Sequence, residues 1–188
     1  MSWLSDKERL QAEARKIDKS VKLVSKDGKF WKIIAWFLFI VSFGAFKREN
    51  FLTRFATTIG NIQAYPATWS VATVERVIVH ESRHSRQARF CGFGIHPLVG
   101  LPIMMLIYVL FPFPVLFAFP RALLEMDADR ASWRALLASG TPSSVIIARA
   151  QNFAETISSS EYMWSIPKSL AVKLFVWAAN RTIAEKCQ

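Results

Sequence analysis

The chain is short of cysteine, glycine and histidine, with 2 Cys, 7 Gly and 3 His in 188 residues. Cys91 and Cys187 lie far apart, so they build neither a disulfide framework nor a zinc knuckle and read as free thiols. Glycine is too sparse for a phosphate-cradling loop, and no such motif occurs. Acidic residues are also few, 14 Asp and Glu against 24 Lys and Arg, for a net charge of +10. The basic residues are strung out as Lys7 to Lys29, Lys47-Arg48, Arg83-Arg86-Arg89 and Lys168-Lys173, without a nucleic-acid-binding motif. No nucleic acid is expected as partner; attraction to anionic membrane lipids accounts for the charge more simply.

Apolar side chains are abundant instead. They form 52% of the chain, with 15 Phe and 7 Trp, more than a soluble domain of this size needs to fill its core. Ile33 to Phe46 carries no charge, and with Phe30-Trp31-Lys32 it makes an apolar segment over 30–46, about 17 residues and marginal for crossing a bilayer. Phe90 to Pro120 contains no Asp, Glu, Lys or Arg. Its prolines, Pro97, Pro102, Pro112, Pro114 and Pro120, argue against one straight span. They predict an apolar hairpin over 95–120: a short helix from about Ile103 to Phe111, then an extended Phe-Pro-Phe-Pro return. Residues 1–29 mix eight Lys and Arg with five Asp and Glu, and place Leu4, Leu10, Ile17, Val21 and Val24 at roughly helical spacing. They read as a basic amphipathic extension, not a signal peptide. The remainder, 47–188, reads as one helical domain, with helices over Arg121–Ser139, Ser143–Thr156 and Lys168–Ala184. The fold class is all-α.

The sharpest motif is His80-Glu81-Ser82-Arg83-His84. On a helix, residues four apart share a face, so both imidazoles can grip one Zn²⁺ while Glu81 reaches its bound water. A third ligand is sought in Glu125-Met126-Asp127-Ala128-Asp129, where Glu125 and Asp129 share a helix face. Gln87, two turns beyond His80, and Asp129 are candidates for orienting a ligand from behind. His96, before Pro97, reads as an interface residue and not as a ligand.

The pair of motifs, His-Glu-x-x-His followed by Glu-x-x-Ala-Asp, resembles the gluzincin peptidases of the membrane-embedded CAAX-prenyl-protease type. The likeness covers about residues 71–139 and implies a membrane-associated, helical zincin-like domain with Zn²⁺ as cofactor. In that family the Glu opening the second motif is the third zinc ligand, which assigns the role to Glu125 beside His80 and His84. The implied function is membrane-associated, zinc-dependent peptide hydrolysis through a zinc-bound water, with Glu81 as catalytic base and a peptide or protein segment at the membrane as substrate. Tyr162, in a downstream loop, is a candidate donor to the tetrahedral oxyanion.

Two other readings stand beside this one. The short chain, the cation Arg83 inside the motif and the lack of a clear oxyanion donor fit a non-catalytic membrane-attached structural or interaction protein, as in an envelope or virion assembly, that keeps a zincin scaffold. A soluble effector would instead bury the apolar tract as core.

Overall fold

The computed structural model describes residues 3–44, 46–109, 119–159 and 166–186. Among them the chain is mostly helical, and it divides into two units, Met1–Met105 and Leu106–Gln188.

The first unit is built on a small sheet that the all-helical reading did not anticipate. Helix α1 (Trp3–Ile17) ends where the charged, turn-forming Asp18-Lys19-Ser20 interrupts its apolar spacing, and the chain enters β1 (Lys22–Ser25). The expected helix over 1–29 is therefore half as long, because Val21 and Leu23 bury themselves from a turn and a strand. After α2 (Lys29–Val41) and α3 (Arg48–Thr53), β2 (Thr57–Ile59) and β3 (Ile62–Tyr65) form a hairpin around Gly60-Asn61. Gly60 has φ +61°, the left-handed conformation that a glycine adopts without strain at such a turn. β3 lies in the middle, antiparallel to β2 and parallel to β1, with Lys22 opposite Ile62 and Ser25 opposite Tyr65.

Helix α4 (Val71–Cys91) lies against α1 and the sheet. Ser70 starts it, its hydroxyl accepting the Thr73 N–H at 3.3 Å. Val74 and Ile78, one turn apart, enter a core with Leu10 and Ala14 of α1, Val21, Leu23 and Tyr65. A second core gathers Trp31 and Ala35 of α2 with Phe51 and Ala64.

The segment 30–46 is not one continuous helix. α2 stops at Val41, and one face of it packs inward through Trp31 and Ala35. In the apolar tract, helix α5 (Pro97–Val109) starts well before the expected Ile103. Pro97 opens it, where a proline lacks no needed donor, and the Leu98 N–H bonds the Nδ1 of His96 at 3.2 Å. Pro102 then sits inside the helix rather than before it. Gly100 permits this course, since any side chain there would overlap the Ala88 carbonyl at the end of α4. The Phe-Pro-Phe-Pro return lies outside the described residues. No helix among the described residues is long and apolar enough to cross a membrane.

The second unit contains α6 (Phe119–Ala138), α7 (Ser143–Ile157) and α8 (Lys168–Lys186). Their shared core holds Trp133, Leu137, Ile146, Ile157 and Phe175, with Ala122, Ala150, Ala154, Ala171, Ala178 and Ala179 between the larger side chains. The alanines let helix backbones approach closely. Arg130 and Arg134 of α6 both donate to Glu185 of α8, at 2.7 and 2.9 Å. Gly140, with φ +90°, ends α6.

Candidate metal centre

The inward stripe of α4 changes character along its length. Val74 and Ile78 are apolar; one turn later the buried positions are Glu81, Ser82, His84, Ser85 and Gln87. A helix that buries so many polar groups must supply partners for them. The sheet provides two. Thr58 of β2 donates its hydroxyl to Glu81 Oε2 at 2.6 Å, and Gln63 of β3 donates its side-chain amide to Ser82 Oγ at 3.0 Å.

His80, His84 and Gln87 occupy a neighbouring stripe of the same helix. Gln87 Oε1 lies 2.8 Å from His84 Nδ1. An amide oxygen only accepts, so His84 carries its proton on Nδ1 and turns the lone pair of Nε2 outward. That lone pair faces Nε2 of His80 at 3.1 Å, with the rings nearly perpendicular at 79°. A proton on His80 Nε2 satisfies that lone pair as a hydrogen bond, and a cation bridging the two nitrogens satisfies it equally. Two nitrogens bound at 2.0–2.1 Å to one tetrahedral Zn²⁺ lie about 3.3 Å apart, close to the spacing here. The pair fits the metal that its motif implies.

Sequence reasoning missed Thr58, which orients Glu81, and a nearby buried cation. Lys26, at the end of β1, donates from Nζ to the carbonyls of Phe51 and Phe55 at 3.0 and 2.8 Å and to Thr57 Oγ1 at 2.6 Å. Its ammonium also sits 3.9 Å over the Phe51 ring. Burial pushes the Lys26 amine down from 10.5 to about 7, and the negative charge of Glu81 opposes the shift. Lysines are mostly exposed, so nothing in the sequence singles this one out.

In the second unit, α6 carries Glu125, Asp127 and Asp129. Glu125 is buried, one turn after the equally buried Arg121; Asp129, one further turn on, is half-buried. Tyr162 lies outside the described residues. His96 caps α5 as described, and the Cys91 thiol is free. Compared with known proteins, the chain matches no family model, no curated protein and no solved structure.

Proposed function

We propose that the chain is a membrane-associated, zinc-dependent metallopeptidase in which His80 and His84 hold the metal, Glu125 is the third ligand by its place at the head of the second motif, and Glu81 is the general base. The observation that carries this reading is the facing pair of imidazole Nε2 atoms, 3.1 Å apart, with the His84 tautomer fixed by Gln87. Two imidazoles and a carboxylate are, by residue type, a donor set that catalytic zinc accepts while keeping a position open. Bound zinc supplies Lewis acidity, polarising a carbonyl and acidifying a coordinated water. The chain's own residues do the rest. Glu81 takes a proton as water attacks the peptide carbonyl and returns it to the leaving amine. Thr58, donating to one carboxylate oxygen, holds the other in place for that transfer. The basic excess and the apolar surface support a substrate at the membrane.

Zinc content of the purified chain tests the reading. About one zinc per chain, lost in His84→Ala and in Glu125→Ala, is expected. Glu81→Gln is expected to keep the metal and lose peptide hydrolysis. A parent chain that takes up no zinc on reconstitution overturns the site; a zinc-loaded chain whose hydrolysis is unchanged by Glu81→Gln overturns the chemistry and leaves the non-catalytic scaffold.

A further inference from the structure

Helices α2, α4 and α6 end in the same hydrogen-bonded motif with one difference. At the end of α6 the Gly140 N–H bonds the Leu137 carbonyl and the Thr141 N–H bonds that of Leu136, with Gly140 in the left-handed conformation. At the end of α2 the corresponding donors are Phe43, to Ile40, and Gly44, to Phe39. At the end of α4 they are Phe93, to Phe90, and Gly94, to Arg89. In both cases the left-handed glycine, Gly44 at φ +82° or Gly94 at +79°, stands one place later, and a phenylalanine before it is left-handed too, with φ +51° at Phe43 and +56° at Phe93. A Cβ in that region meets the neighbouring carbonyl, so aromatic residues avoid it. Packing within the chain does not compensate: Phe43 is 99% and Phe93 87% exposed.

The surroundings of both are apolar, and those of Phe43 are cationic as well. The outward face of α2 presents Phe30, Ile33, Trp36, Phe37 and Ile40, all exposed. Phe90 and Ile95 flank Phe93 and are exposed too. Lys29 and Lys32 stand at the start of this face and Lys47 and Arg48 follow it, all exposed, against two exposed acids at its ends, Asp27 and Glu49. The Arg48 guanidinium lies 4.3 Å over the Trp36 ring, a cation held at the edge of an aromatic surface. From Ser82 to Leu124 the chain carries no acid.

We propose that Phe43 and Phe93, with the outward face of α2, are wedges that seat the first unit on an anionic bilayer surface, inserting into one leaflet without crossing it. A helix of 13 residues is about 20 Å long, too short for the hydrocarbon core, and suits a position flat in the interface. Lipid is the occupant that matches an apolar face edged by more cations than acids, because the leaflet surface is negative. The proposal rests on the membrane association above and is independent of zinc.

Flotation of the purified full-length chain with phosphatidylcholine/phosphatidylserine vesicles, against phosphatidylcholine alone, tests it. Binding is expected to the mixed vesicles and to weaken in high salt. Phe43→Asn and Phe93→Asn are each expected to lower the partition coefficient about tenfold, and the pair about a hundredfold. Since Asn tolerates the left-handed region, the urea midpoint should hold or rise in both variants. Vesicle binding equal to the parent's, or a lowered urea midpoint, overturns the wedge assignment while membrane association stands. A parent that floats with neither vesicle overturns the association itself. A lipid-free parent that dimerises, with monomeric variants, makes a second copy the occupant and overturns the lipid proposal.

Discussion

Lys26 makes the first unit more stable as the solution turns alkaline. Its amine is pushed from 10.5 to about 7 in the folded chain, chiefly by burial. The unfolded chain holds that proton up to its ordinary pKa, whereas the folded chain releases it near neutrality. Between those values the unfolded state binds more protons, so stability rises with pH. A full one-proton difference gives about 1.4 kcal/mol per pH unit. From about pH 7.5 to about pH 9.5 the gain is about 2.5 kcal/mol, slightly below the full slope because release is still incomplete near neutrality. The window stops there because burial raises the Tyr65 phenol, helped by Asp27, and a raised acid costs stability above its unfolded pKa. Urea unfolding of the parent and of Lys26→Met at several pH values across this window isolates the effect. In the variant the Phe51 and Phe55 carbonyls lose their donor, which lowers stability at every pH. Only the pH dependence is diagnostic: the parent's line should climb relative to the variant's. Parallel lines would refute the reasoning, and would mean that the three acceptors and the Phe51 ring keep the ammonium charged throughout.

Gln87→Ala removes the acceptor on His84 Nδ1 and leaves the ring free to turn and change tautomer. Zinc affinity, measured by competition with a chelator, should fall about tenfold to a hundredfold, with the fold's urea midpoint nearly unchanged. Gly100→Ala drives a methyl group into the backbone of α4 at Ala88 and Gly92. Two backbones must separate to admit it, so unfolding stability should drop by about 2 to 3 kcal/mol, and a midpoint equal to the parent's would contradict the close approach.

The helices of the second unit were legible because each combines apolar spacing with an end signal. Arg121–Ser139 is observed as Phe119–Ala138, Ser143–Thr156 as Ser143–Ile157, and Lys168–Ala184 as Lys168–Lys186. Gly140 and Pro142 punctuate the first two, as their backbone restrictions demand. The sheet was harder to read. Its strands are three and four residues long, and β1 pairs parallel with a partner far along the chain, a contact with no local trace. One signal was there: Gly60-Asn61 between Thr57–Ile59 and Ile62–Tyr65 is a two-residue hairpin turn. Missing the sheet meant missing Thr58 and Lys26, the two groups it brings toward Glu81. Helix spacing alone singled out His80, His84 and Gln87, because all three share one element and period is all that brings them together.

The parallel pairing of β1 with β3 sets an order on synthesis. Lys22–Ser25 leaves the ribosome long before Ile62–Tyr65, and until the later strand is made the earlier one has no neighbour in the sheet. Over that interval α2 is already out, and the residues that cover its inner face, Phe51 and Ala64, are still to come. The first apolar helix of the chain is thus offered to its surroundings on both faces before the unit around it can close. A nascent chain in that state is exposed to aggregation, and early contact with lipid or a chaperone protects it at the stage when its own sheet cannot.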